Sequence, residues 1–245
     1  MAVTQLAYNL MIDGREVAAL SGRTATVINP ATGETVASVP VADERDVDLA
    51  VQSARRALDE GPWPKMSASE RGRVLMRIAG LLRERVESLA RLEVLNSGKP
   101  IRDARAEVLA AAECFEYYAG AATKWFGETI PVTDRGLDFT LREPIGVVGL
   151  IVPWNFPLMI ASWKVGPALA TGNAAVLKPA SATPLTALAL GAVALEAGVP
   201  AGVLNVIVGP GATTGMALVR HPLVGKIAFT HPKPLKGVML ELVQR

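Results

Sequence analysis

Along the first forty or so residues the apolar positions come in short, interrupted pieces. Met11-Ile12 and Val17 flank Asp13-Gly14, a combination that favours a tight hairpin. Thr24 to Ile28 and Thr35 to Val39 flank the turn residues Asn29-Pro30-Ala31-Thr32-Gly33, which predicts a second pair of short strands. From Asp43 the spacing becomes helical. Asp43 caps a helix with Glu44 and Asp46 in its first turn and Arg55 and Arg56 near its end, the order that suits the helix dipole. Val47, Ala50, Ala54 and Leu58 share one face of it. After Gly61-Pro62-Trp63-Pro64, Ser67 and Glu70 have the spacing of a capping box. They open one long helix with the stripe Val74, Ile78, Leu81, Leu89 and Leu92, and its intervening arginines form a solvated face. Asn96-Ser97-Gly98-Lys99-Pro100 stops it. A third helix is predicted from about Ile101 to Lys124, with Val108, Ala111, Phe115, Tyr118 and Ala122 inward.

Thr129 to Val132 and Leu137 to Arg142 enclose Thr133-Asp134-Arg135-Gly136, a further hairpin. Its second arm alternates, with Phe139 and Leu141 on one face and Asp138, Thr140 and Arg142 on the other, and so predicts a half-exposed ribbon. From Pro144 the rhythm is strand, helix, strand. Strands are predicted at Ile145 to Val152, Ala174 to Leu177, Val203 to Val208 and Lys226 to Phe229, with helices at Leu158 to Ala170, Pro184 to Ala197 and Ala212 to Arg220 between them. Ile145 to Val152 is aliphatic and glycine throughout and reads as a strand buried on both faces. Such alternation with short connections predicts an α/β fold built on a doubly wound, right-handed parallel sheet.

Composition narrows the function. Of 245 residues half are hydrophobic, enough for a sizeable core, and the net charge of +2 is scattered. Neither a nucleic-acid patch nor a polybasic membrane segment is visible. Met1 to Leu10 has no positive end followed by a long apolar stretch, so no secretory signal is read and a cytoplasmic location is expected. One cysteine excludes an internal disulfide, and with two widely separated histidines it gives no metal site.

Three places could carry chemistry. Asn155 directly follows the buried strand, where open α/β sheets bind ligands. Its amide either donates hydrogen bonds into that space or caps a turn. Lys178 ends the next strand at the same edge, where it either donates to ribose hydroxyls or a phosphate, or snorkels to the surface. Gly209-Pro210-Gly211-Ala212-Thr213-Thr214-Gly215 follows a strand and opens a helix, but its last glycine is one residue late for the dinucleotide fingerprint, and a plain tight turn reads as well. Cys114 lies mid-helix among alanines and aromatics without a nearby histidine and reads as a small buried hydrophobe.

Pro153-Trp154-Asn155-Phe156-Pro157, Gly172-Asn173, Lys178-Pro179 and Thr183-Pro184 together resemble the cofactor half of an aldehyde dehydrogenase. The resemblance continues through Ala197-Gly198-Val199-Pro200-Ala201-Gly202-Val203-Leu204-Asn205, Gly209-Pro210-Gly211 and Lys226-Ile227-Ala228-Phe229-Thr230, and reaches back to about Asp13. It implies an N-terminal helical part over 1–127, a projecting oligomerisation hairpin over 128–143, a Rossmann-like NAD- or NADP-binding core over 144–230, and an atypical tail over 231–245. It also implies oxidation of a small aldehyde to a carboxylic acid in a homo-oligomer. In that family a cysteine thiolate attacks the carbonyl, an asparagine amide and a backbone N–H hold the oxyanion, hydride passes to nicotinamide, and a glutamate-activated water releases the acid. Asn155 is thereby the catalytic oxyanion donor. Ile151, Val152, Pro153, Trp154, Lys178, Ala180, Ser181, Gly209, Gly211, Phe229 and Thr230 are the implied cofactor residues, with Lys178 on the adenosine ribose. Ser181 stands where NAD-preferring relatives often have a glutamate, so NADP is expected to be accepted.

The resemblance has a boundary. His231-Pro232-Lys233-Pro234 stand where the family has Gly-Ser opening a helix at the pyrophosphate, and prolines remove N–H donors. Leu240-Glu241-Leu242 is similar to the stretch around the family's base but comes too soon and lacks the Gly-Gly that follows it. The family's nucleophile and base are not found in the chain. The expectation is a truncated or frame-altered product, inactive alone. The competing reading is a non-catalytic remnant that binds nucleotide weakly or pairs with full-length relatives.

Overall fold

The computed structural model describes residues 6–133 and 135–231 of the chain. Pro232 to Pro234 and Leu240-Glu241-Leu242, on which several expectations rest, lie outside the described residues. The chain begins with β1 (Leu6–Ala7), β2 (Leu10–Ile12), β3 (Arg15–Val17), β4 (Thr24–Ile28) and β5 (Thr35–Pro40). The helices α1 (Glu44–Asp59), α2 (Ala68–Glu84), α3 (Val86–Ser97) and α4 (Ile101–Ala121) follow. Next come β6 (Thr129–Ile130), β7 (Asp138–Phe139), β8 (Val147–Ile151), α5 (Pro157–Ala170), β9 (Ala174–Lys178), α6 (Leu185–Glu196), β10 (Leu204–Val206), α7 (Met216–Arg220) and β11 (Val224–Phe229).

The main sheet runs β11-β8-β9-β10-β2-β3. Its first four strands are parallel, and β2 and β3 extend it antiparallel. The N-terminal hairpin thus joins the sheet that the later strands predict. Its turn needs the left-handed region at two successive residues, and Asp13 (φ 56°) and Gly14 (φ 68°) supply it. Asn205 Oδ1 accepts from Asp13 N at 2.9 Å, and Ser53 Oγ donates to Asp13 Oδ1 at 2.9 Å, which ties the turn to β10 and α1. A smaller sheet has the order β1-β5-β4.

Both predicted caps are present. Ser67 and Glu70 form the capping box of α2, and Asp43 with Asp46 forms another at α1. Asp46 is buried and also accepts from Leu20 N at 2.9 Å. The long helix expected from Ser67 to Asn96 is instead two helices. Arg85 (φ −107°, ψ 17°) breaks it, its N–H shared between Leu81 O and Leu82 O at 3.2 Å each. Its guanidinium grips both carboxylate oxygens of Glu196 at the end of α6, at 2.6 and 2.7 Å. That partner is more than a hundred residues away in sequence, so no local pattern announces the break. Other boundaries move as well. β8 starts at Val147 rather than Ile145, which is 55% exposed. α4 stops at Ala121. The β6–β7 ribbon pairs only two residues on each side, and both its faces are exposed rather than one.

α5 and α6 pack on one face of the sheet, and α1 and α7 on the other. α2 and α4 form a further layer outside α5. The chain leaves β8 through α5 to β9 and through α6 to β10. It then crosses the other face through α7 to β11, on the far side of β8. The direction of winding therefore reverses between β8 and β11, which places the sheet's ligand crevice beyond their carboxyl ends.

Candidate functional site

The loops at the carboxyl ends of the four parallel strands carry the site residues that the sequence singles out. Hydrogen bonds join these loops to one another. Ile151 pairs with Lys178, and Thr230 N donates to Ile151 O at 3.2 Å. Val152 N donates to Lys178 O at 3.1 Å. Thr183 Oγ1 donates to Trp154 O at 3.1 Å, and Ser181 Oγ donates to Gly209 O at 2.8 Å. Ile151, Val152, Pro153, Trp154, Lys178, Ala180, Ser181, Gly209, Phe229 and Thr230 are thus brought to one edge of the sheet.

Lys178 does not snorkel. It is 3% exposed, and its Nζ donates to Pro179 O at 2.9 Å, with no carboxylate partner among the described residues. Burial pushes its ammonium down to about 8. A buried cation without a counter-anion at a crevice is costly unless something anionic or rich in acceptors arrives to share it.

Asn155 does not cap α5. Phe156 occupies the N-cap position, no side chain caps that helix, and Pro157 takes its first turn. Asn155 Oδ1 is buried with no hydrogen-bond partner among the described residues, and the side chain as a whole is half-buried. Its amide thus has the acceptor inward and, among the described residues, the donor uncommitted. Trp154 (55% exposed) and Phe156 stand to either side of it in sequence, both open to solvent.

The two glycines of the turn after β10 differ. A Cβ on Gly209 would meet Thr214 Oγ1 at 2.0 Å and Ala42 O at 2.9 Å, whereas one on Gly211 would meet nothing within 4 Å. Thr214 Oγ1 donates to Ala42 O at 2.6 Å in this packed spot. Gly209 is thus required by protein packing, not only by the approach of a ligand, and Gly211 is the open position. Gly211 to Gly215 form a single π-type turn ahead of α7, so the helix expected from Ala212 begins only at Met216.

Cys114 is half-buried, and burial pushes its thiol up to about 11. Its Sγ contacts Ser162 O at 3.4 Å. Such a thiol stays protonated near neutrality and packs as a neutral group. A groove of about 990 Å³ contains none of the predicted site residues. It runs along β8 and β11 beside α5, from Ile145 and Asn173 to Leu150 and Ala228.

Reading along the chain misses one cluster behind the site. Lys99 Nζ lies 3.2 Å from Glu93 Oε1, donates to Glu107 Oε2, and donates to Asn155 O at 3.2 Å. Asn96 accepts from Leu185 N at 3.1 Å and donates to Ala182 O at 2.9 Å. In the sequence Asn96-Ser97-Gly98-Lys99-Pro100 signals only a helix stop. Gly98 does close α3 in the left-handed conformation (φ 74°).

The sequence profile of the aldehyde dehydrogenase family matches residues 17–234. The chain belongs to the aldehyde dehydrogenase family. It is 51% identical over 95% of its length to aldehyde dehydrogenase family 2 member B4, mitochondrial, of Arabidopsis thaliana, and covers 44% of that protein. It is 50% identical over 97% of its length to phenylacetaldehyde dehydrogenase of Pseudomonas fluorescens, covering 51% of it. The structure superposes with a TM-score of 0.90 and 45% identity on the NAD⁺ complex of an aldehyde dehydrogenase from Bacillus cereus, covering 92% of this chain and 46% of that one. A NAD-dependent aldehyde dehydrogenase from Sinorhizobium meliloti matches at TM-score 0.89 and 43% identity, over 93% and 46% of the two chains. The chain thus spans about half the length of these aldehyde dehydrogenases. Among the described residues no helix is long and apolar enough to cross a membrane.

Proposed function

We propose that the chain is the dinucleotide-binding half of an NAD- or NADP-dependent aldehyde dehydrogenase that oxidises a small aldehyde to its acid. In this reading 1–127 and 144–230 act as one cofactor-binding unit, and 128–143 is an assembly hairpin. The carrying observation is Lys178, a buried ammonium with no anionic partner among the described residues, at the carboxyl end of β9 next to the strand where winding reverses. Its site suits the ribose hydroxyls or a phosphate of a dinucleotide, and the open backbone at Gly211 leaves room for the adenosine end. When bound, the nicotinamide supplies the hydride acceptor.

The chain's own residues supply binding and one electrostatic element. Asn155 presents an amide donor to the oxygen of the reacting carbonyl, and loss of one such donor typically costs about 10²–10³ in turnover. Trp154 and Phe156 wall the passage. In this reading Cys114, half-buried with its thiol pushed up to about 11, is not the attacking thiolate.

The test is calorimetric titration of the chain with NAD⁺ and NADP⁺. Lys178→Met should weaken both by about tenfold or more, the size of one charge-assisted bond. Equal affinities in wild type and variant would sink the assignment. Ser181→Glu should lower NADP⁺ affinity more than NAD⁺ affinity, because a carboxylate repels a 2′-phosphate. An unchanged ratio would place Ser181 away from the 2′ position.

A further inference from the structure

We propose that Lys99, held between Glu93 and Glu107, is a positioning residue that fixes the Asn155 loop from behind. The role rests on the reading of Asn155 as the oxyanion donor, and none of the chemistry assigned above uses Lys99.

An ammonium has three protons to donate, and Lys99 commits all three. Two go to carboxylates on different helices, Glu93 of α3 and Glu107 of α4, and the third goes to the backbone carbonyl of Asn155. Lys99 Nζ also lies 5.2 Å from the centroid of the Phe156 ring, within cation–π range. The side chains of Lys99, Glu93 and Glu107 are 11%, 1% and 9% exposed. Water therefore competes little for these bonds, and the short connection from Gly98 to Pro100 gives the ammonium little room to wander.

Two carboxylates on one ammonium leave an excess of negative charge in a dry place. Glu93 Oε2 is buried without a partner among the described residues. Burial pushes the Glu107 carboxyl above its ordinary range against the pull of Lys99. Such a cluster is a poor source of net stability, since well-packed apolar side chains usually do as well. Its geometric effect is the stronger one. Among the described residues the Asn155 side chain has no hydrogen-bond partner, so its amide is aimed by its backbone. That backbone is pinned at two successive carbonyls: Trp154 O by Thr183 Oγ1 and Asn155 O by Lys99 Nζ. The same helix end also grips the Lys178 loop through Asn96 and Ala182 O. The end of α3 thus sets the two crevice loops relative to each other. Displacement of a positioned group by about 1 Å can cost on the order of 10² in rate.

The experiment uses the whole chain labelled with ¹⁵N. The side-chain amide pair of Asn155 is identified by its loss in Asn155→Gln. Lys99→Met should keep cooperative melting but displace, split or broaden the Asn155 amide pair. Lys99→Arg should return it toward the wild-type position, because a guanidinium can still bridge two carboxylates and a carbonyl. An Asn155 pair at its wild-type position in Lys99→Met would overturn the proposal. If Lys99→Met fails to fold, Glu107→Gln takes its place: it keeps an acceptor but loosens the clamp, and should shift the same pair, while an unmoved pair again overturns the proposal. NAD⁺ is then titrated into the wild type. Absence of binding there defeats the cofactor reading, whereas the amide result, read on the free chain, stands or falls by itself.

Discussion

At the scale of single residues, Lys178 makes a pH-dependent prediction. Its folded pKa, about 8, lies below the ordinary 10.5 because burial disfavours the charged form. Between these two values the unfolded chain holds a proton that the folded chain has released, so stability rises with pH across that window. Below it both states are protonated and the burial penalty stands in full, on the order of 3 kcal/mol. Lys178→Met should therefore raise the melting temperature of the free chain near neutrality, and the gap should narrow in alkaline buffer. A variant that melts lower near neutrality would mean that the bond to Pro179 O outweighs burial. Nucleotide affinity of the wild type should fall as pH rises past about 8, as the ammonium is lost. That a lysine ends the strand is legible in the chain. That it is buried without an anion is not, because its side chain lies against Gly215 in the turn after β10, far along the chain.

At the scale of elements, the turn after β10 separates two glycines that look alike in sequence. Gly209 is needed for the contact between Thr214 and Ala42, a residue from the other end of the chain, whereas Gly211 faces open space. Gly209→Ala should destabilise the fold by about 1–3 kcal/mol, the usual size of an overpacking defect. Gly211→Ala should be close to neutral in urea unfolding, and equal midpoints for the two variants would contradict this account. Elements with a strong local signal came out as the sequence implies. The capping boxes at Asp43 and Ser67, the Asp13-Gly14 turn and the alternation from Pro144 onward all express local chemistry. The break at Arg85 did not come out so, because its guanidinium answers to Glu196 on another helix.

At the scale of the whole molecule, the β6–β7 ribbon is the exposed feature that needs an account. Ile130, Val132, Leu137, Phe139 and Leu141 are all 40% or more exposed, and an isolated two-stranded ribbon is marginal in water. Such a surface should mediate self-association. Deleting Val132 to Leu141 should lower the mass measured by light scattering, and an unchanged mass would remove the ribbon from the interface. The alternation of its second arm had predicted one covered face. Both are open within a single chain, because alternation records which side a partner would cover and not whether the partner belongs to the same chain.

The residues alone determined the class of fold and the placing of Asn155 and Lys178 where buried strands end, because each rests on local order: a buried apolar run, a turn and a polar residue where the run ends. Tertiary structure decided what holds those residues. The hairpin of β2 and β3 completes the sheet by pairing with β10, and Asn205 and Ser53 fix its turn at Asp13. Lys99 reaches Asn155 only because α3 and α4 stack beside the loop after β8. These contacts join positions between 40 and 192 residues apart, and a pattern read within one or two turns of chain carries no information about partners that far away.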